Sequence, residues 1–93
     1  MTAPDPMDEV TRLLRQASHA ALAGQPLLER WLLDRSLGFP CLLGVVTGHP
    51  LIPDGHFVRT SRLRRIEPEA GWARTRNRYY RLGQSLDDWR RMQ

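Results

Sequence analysis

His56-Phe57-Val58-Arg59-Thr60-Ser61-Arg62-Leu63-Arg64-Arg65-Ile66, then Glu67-Pro68-Glu69-Ala70-Gly71, then Trp72-Ala73-Arg74-Thr75-Arg76-Asn77-Arg78-Tyr79-Tyr80-Arg81-Leu82 is the stretch that decides the fold. Its two outer blocks carry β-branched and aromatic residues, and the middle block is turn chemistry with Pro and Gly. The pattern predicts a β-hairpin: a strand over 56–66, a five-residue connection over 67–71, and a partner strand over 72–82. Upstream, Cys41-Leu42-Leu43-Gly44-Val45-Val46-Thr47 is a short apolar run of the kind that forms a buried strand. Gly48-His49-Pro50 and Pro53-Asp54-Gly55 supply the reversals between it and the hairpin. The span 40–83 is therefore expected to be a three-stranded antiparallel meander.

The residues before it have helical spacing. Asp5 and Pro6 make an N-cap and first-turn pair, and Asp8 and Glu9 complement the helix dipole. Met7, Val10, Leu13, Leu14, Ala17 and Ala21 then recur every three or four residues up to Gly24. After Pro26, the residues Leu28, Trp31, Leu32 and Arg35 lie along one side of a second predicted helix that ends near Gly38. Ser85 can cap a last short helix on which Leu86, Trp89 and Met92 share a face. The expected class is thus α+β: two N-terminal helices (within 5–38) packed on a small three-stranded antiparallel meander, with a short C-terminal helix or tail over 85–93. Trp31 is expected in the core. Trp89 is expected to dock the last helix, or else to serve as an anchor for a partner.

Composition limits the rest. A chain of 93 residues has room for one domain, 1–93, and a domain of this size buries only about 60–65% of its unfolded surface. A hydrophobic share of 41% suffices for one core. No apolar run approaches the roughly 20 residues that span a bilayer, so no membrane partner is expected. The start, Met1-Thr2-Ala3-Pro4-Asp5-Pro6, has no basic region followed by an apolar stretch, and Cys41 is the single cysteine. Together these point to a cytoplasmic protein, monomeric or homodimeric.

Charge is the distinctive feature. All 14 basic residues are Arg, whose planar guanidinium offers bidentate contacts to phosphate and carboxylate that Lys cannot make. Residues 1–36 carry four Arg against five acidic residues, whereas 37–93 carry ten Arg against five. Strand parity sorts the hairpin's share. If Ile66 stands opposite Trp72, then Arg64 faces Arg74 and Arg62 faces Arg76. This builds a stripe of Arg62, Arg64, Arg74, Arg76 and Arg78, ended by Trp72 and Tyr80. Like charges directly opposite each other destabilise a sheet unless an anion neutralises them. Aromatic residues at the rim of an Arg field suit base stacking and phosphate contact. A register slipped by one residue dilutes the stripe, a solvated strand face would look the same, and Asp87, Asp88 or the first helix could pair with some of these arginines.

Catalytic signatures are missing from the sequence: no nucleophile elbow, phosphate-binding glycine loop, His-Glu-x-x-His or paired-cysteine zinc motif occurs. Cys41, His49, Asp54 and His56 are the only cluster of metal- or acid–base-type side chains, and they lack a diagnostic spacing. Cys41 falls in the expected buried strand, where a thiol acts as a small hydrophobe. His49 before Pro50 suits a local turn contact. No enzyme activity, metal or cofactor is expected.

The stretch Pro40 to Pro50, with Pro53-Asp54-Gly55, Thr60-Ser61, Gly71-Trp72-Ala73-Arg74-Thr75 and Tyr80-Arg81-Leu82-Gly83, resembles a family of short uncharacterised bacterial proteins, a domain of unknown function. The Gly-His-Pro, Thr-Ser and Trp-Ala-Arg-Thr elements carry the likeness, and the Trp31 region is similar. The likeness covers about half the chain, leaving out the N-terminal helix and the tail after Gly83. It implies a genuine domain of bacterial origin, and it carries over no established activity and says nothing about mechanism. The expected function is therefore a non-enzymatic basic binding domain whose Arg-rich hairpin contacts nucleic acid or a nucleoprotein. The alternative is a phage- or mobile-element-encoded inhibitor, of the anti-CRISPR or another anti-defence type, or an adaptor, in which the same Arg residues meet an acidic protein surface. A small metal-dependent hydrolase using His49, Asp54 and His56 stands third.

Overall fold

The computed structural model describes residues 9–10, 12–13 and 21–93, so the helix expected over 5–24 lies largely outside the described residues. From Leu27 onward the chain forms six strands and one helix: β1 Leu27–Asp34, β2 Cys41–Thr47, β3 Phe57–Arg59, β4 Leu63–Glu67, β5 Trp72–Thr75, β6 Tyr79–Leu82 and α1 Leu86–Arg91. The strands make one mixed sheet in the order β3-β2-β1-β6-β5-β4. Every neighbouring pair is antiparallel except β1 and β6, which run parallel at the centre. The expected α+β class, two N-terminal helices on a three-stranded antiparallel meander, is overturned: the second of those helices is strand β1, and the meander is part of one six-stranded mixed sheet.

The largest correction is β1, which occupies the expected second helix. Its register to β2 holds from Leu27↔Thr47 to Glu29↔Val45, then shifts, and resumes at Leu32↔Leu43. Arg30 and Trp31 therefore stand against the single residue Gly44, a β-bulge, and Arg30 takes a positive φ of 51°. The extra residue breaks the two-residue alternation of a strand, leaving apolar positions at spacings that mimic a helix. Trp31 still turns toward the core, partly buried, with its indole N–H donated to the Gly83 carbonyl at 2.9 Å.

The two strands expected over 56–66 and 72–82 each break in two, and each break falls on a buried threonine. Thr60 Oγ1 accepts from Leu42 N at 2.9 Å and donates to the Ser61 carbonyl at 2.8 Å. Thr75 pairs its N–H with the Arg78 carbonyl at 2.9 Å, and its hydroxyl donates to the same oxygen at 3.1 Å. That closes a tight turn over 76–78, where the sequence reading has a continuous strand.

These breaks let the sheet close on itself. A flat sheet of six strands at about 4.8 Å spacing would hold its edge strands about 24 Å apart. Yet β3 and β4 are the two edges, and Arg59 and Leu63 are joined by a link that spans about 14 Å at most. The sheet must curl. Leu63 N donates to the Pro40 carbonyl and Arg76 N donates to the Arg62 carbonyl, both at 2.8 Å, so residues 60–63 are held between the β2 and β5 sides. Inside the curl lie Leu28, Leu42, Val46, Val58, Ala73 and Tyr80, with Trp31, Ile52, Leu63, Ile66 and Leu82 packed against them.

The expected features around this core hold locally. Gly55 takes φ 85° in the Pro53-Asp54-Gly55 turn, a conformation open to glycine at no steric cost. Ser85 caps α1, accepting from Asp88 N at 3.1 Å. No residue of α1 is buried; the helix lies against β1 with the Arg30 guanidinium 5.0 Å from the Trp89 ring centroid. Trp89 is thus a half-covered surface contact and not core, while Met92 is exposed.

Candidate functional site

The register of β4 and β5 decides where the arginines point. Glu67 stands opposite Trp72, Ile66 opposite Ala73, and Arg65 opposite Arg74; the register then shifts, so that Leu63 stands opposite Thr75 with Arg64 bulged between. This is the one-residue slip from the register that pairs Ile66 with Trp72. On β6, Arg74 meets Tyr79 and Ala73 meets Tyr80. Ile66, Ala73 and Tyr80 thus form an inward row, and Arg65, Arg74 and Tyr79 an outward one.

Tyr80 is only 5% exposed and belongs to the core, where burial raises its phenol pKa above 10.0 against the opposing pull of Arg78. Its ring lies 6.2 Å from that of His49. It is not positioned to stack on a partner. Tyr79, which the hairpin reading left outside the stripe, takes the outward place. The cause is the 76–78 turn, which shifts the parity of everything after it.

The outward face is an alternating stack of cations and rings. Arg65 lies 5.6 Å from the Trp72 centroid, Trp72 meets Tyr79 edge-on at 5.9 Å, and Arg74 lies 4.7 Å from the Tyr79 centroid. Cation–π contacts of about 0.5–1 kcal/mol each at exposed sites offset the repulsion expected between Arg65 and Arg74. Arg65 is also paired with Glu67 at 2.8 Å. Arg65 and Tyr79 are the two members of this face that parity alone did not find.

The other stripe arginines lie elsewhere. Arg62, at the link between β3 and β4, and Arg76, in the turn after β5, come together through the Arg76 N–H to Arg62 carbonyl bond. They line an open cleft of about 360 Å³ with Leu37, Phe39, Thr60 and Ser61. Arg64 is exposed in its bulge. Arg78 lies near His49 and Tyr80, where its charge, together with the larger effect of burial, lowers the His49 pKa below 6.5. The single stripe is therefore split into an outer face, a cleft, and a site beside His49.

Ion pairs among the described residues leave most of these guanidinium groups uncompensated. Among the described residues, the salt bridges are Arg12–Glu9, Arg59–Asp34, Arg65–Glu67 and Arg91–Asp88. None engages Arg62, Arg64, Arg74, Arg76 or Arg78. Asp88 is taken by Arg91 of its own helix. Asp34 accepts from Ser36 at 2.8 Å and from Arg59, and these two contacts lower its pKa below 3.8.

Two residues of the metal reading, His49 and Asp54, are engaged by their own loop. His49 Nδ1 accepts from Leu51 N at 3.0 Å, and Asp54 Oδ1 accepts from Gly48 N at 2.7 Å. His56 is exposed, and Cys41 is buried within contact of Arg59. No group of three His, Cys, Asp or Glu side chains among the described residues is arranged to hold a metal ion. No helix among the described residues is long and apolar enough to cross a membrane.

A family model matches residues 7–91 of this chain. The chain belongs to DUF6634, a family of unknown function. The DUF6634 match takes in α1 and most of the N-terminal segment, both of which the sequence likeness had left outside. No curated protein and no solved structure matches.

Proposed function

We propose that this chain is a basic, non-enzymatic binding module whose arginine-bearing surface takes nucleic acid. The observation that carries the reading is the charge imbalance of one small sheet. Arg62, Arg64, Arg74, Arg76 and Arg78 have no carboxylate partner among the described residues. Arg74 stands directly opposite a second guanidinium, Arg65, and of the two only Arg65 has a carboxylate, Glu67, among the described residues. Such a surface lowers its self-repulsion when an anion with closely spaced charges binds, and a phosphodiester chain is that kind of anion. The outward aromatic residues beside the guanidinium groups favour nucleic acid over a purely charged partner.

The test is titration of the purified protein with short single- and double-stranded DNA and RNA across a range of salt, beside an Arg74→Ala/Arg76→Ala variant. Binding in the micromolar range or tighter that falls steeply with salt, and is weaker in the variant, supports the reading. Each phosphate contact removed should lower the slope of log affinity against log salt by about 0.7–0.9. Failure to bind any of these at low salt sinks it. An acidic protein surface, as an inhibitor or adaptor would require, then becomes the partner to seek.

A further inference from the structure

The link between β3 and β4, the turn between β1 and β2, and the turn between β5 and β6 meet at one end of the curled sheet. Their meeting makes the cleft lined by Leu37, Phe39, Thr60, Ser61, Arg62 and Arg76. We infer that this cleft is a single-nucleotide subsite: it takes one unpaired base of a single strand between the Phe39 ring and the Arg62 guanidinium, with the adjoining phosphate on Arg76. The inference rests on the nucleic-acid reading above and gives that surface a defined contact and a strand preference.

The cleft has the parts such a site needs. Phe39 supplies a ring face, and the Arg62 guanidinium lies 5.9 Å from its centroid. A planar base between two faces needs about 7 Å, twice a carbon contact of about 3.5 Å. Arg62 is an exposed, flexible side chain, so an outward movement of about 1 Å makes room for a three-layer stack. Its volume of about 360 Å³ falls at the low end of the range for small-ligand sites.

Charge and hydrogen bonding favour the same occupant. Among the described residues, the lining carries two guanidinium groups and no carboxylate. Ser61 Oγ accepts from Asn77 N at 3.2 Å, which leaves its own proton to donate to a base edge or phosphate. Thr60 is spent on Leu42 and Ser61, so it fixes the cleft floor. A base paired in a duplex cannot enter, because its faces are already stacked. The cleft therefore selects single strands.

The experiment compares an oligothymidylate of about twelve nucleotides, an abasic strand of equal length and a duplex, each against wild type, Phe39→Leu and Phe39→Tyr. Wild type should bind the oligothymidylate about fivefold or more tighter than the abasic strand, since stacking of one base is worth at least that much. It should also prefer the oligothymidylate to the duplex. Phe39→Leu should clearly diminish the preference for bases without changing abasic binding, and Phe39→Tyr should keep it. Equal affinity of wild type for oligothymidylate and abasic strand, or an undiminished preference in Phe39→Leu, overturns the subsite and leaves the arginine surface standing as a phosphate-binding face. Wild type that binds none of the three at low salt overturns both readings together.

Discussion

Leu28 packs directly on Gly44: a methyl group at position 44 would lie 2.8 Å from Leu28 Cγ and 3.0 Å from the Glu29 carbonyl oxygen. Gly44 sits opposite the β1 bulge, so the absent side chain is what allows the fully buried Leu28 to fill the core there. Gly44→Ala should cost about 1–3 kcal/mol by overpacking, because one of the clashing atoms is backbone and cannot swing away. Urea denaturation of the variant measures it; a midpoint equal to that of wild type would mean the bulge relaxes freely.

Tyr79 and Tyr80 are adjacent in sequence and opposite in consequence. Tyr80→Ala empties a core position and should cost about 3–5 kcal/mol, a large part of the stability of a domain this small. Tyr79→Ala removes an exposed ring with its Trp72 and Arg74 contacts, at about 1 kcal/mol. In oligonucleotide binding the order reverses: a folded Tyr80→Phe protein should bind as wild type does, whereas Tyr79→Ala should bind more weakly. Equal losses of stability in the two alanine variants would contradict the inward and outward rows described above.

How far the sequence led can be read at particular residues. The apolar run Cys41–Thr47 is strand β2, Pro53-Asp54-Gly55 is a turn, and Ser85 caps α1, because each signal is local. Strand β1 was hidden because its bulge at Arg30 and Trp31 spoils the two-residue period, while Leu, Glu and Arg are good helix formers. The strand breaks were hidden because a threonine is an ordinary strand residue; only pairing with Leu42 and Arg78 makes Thr60 and Thr75 into stops. The arginine surface was legible as a concentration of charge in 37–93 and not as geometry. Parity carries side chains correctly only as far as the next bulge or turn, and Arg64 and residues 76–78 interrupt it. Phe39 gave no signal at all, since its role depends on loops distant in sequence.

Two groups give stability a signed dependence on pH. The His49 pKa is held below 6.5, chiefly by burial and then by Arg78, and its Nδ1 must be unprotonated to accept from Leu51. The unfolded chain therefore takes up a proton first as pH falls below about 6.5, and stability declines from there. Asp34, held below 3.8 by Ser36 and Arg59, adds a second loss that begins as pH drops through that value. Melting temperatures between pH 8 and pH 3 should show both. His49→Asn, whose side-chain oxygen can replace Nδ1 as acceptor, should flatten only the upper window, and Arg59→Ala should weaken only the lower one. A His49→Asn variant with the wild-type slope between pH 7 and 5 would remove His49 as the cause.

Binding at the arginine surface must also appear as stability, because a ligand that binds only the folded state shifts the folding equilibrium. Single-stranded oligonucleotide at a hundred times its dissociation constant should stabilise the fold by about 2.7 kcal/mol. For a domain of this length that raises the melting temperature by roughly 10–20 °C. In the Arg62→Ala/Arg76→Ala variant the same concentration should give a clearly smaller rise, and added salt should abolish the rise in wild type before it alters the unliganded melt. The variant itself should fold normally, because both side chains are exposed and neither makes a salt bridge among the described residues. An undiminished rise in the variant would place the oligonucleotide elsewhere on the molecule, while a rise that survives high salt would mean that phosphate contacts do not carry the affinity.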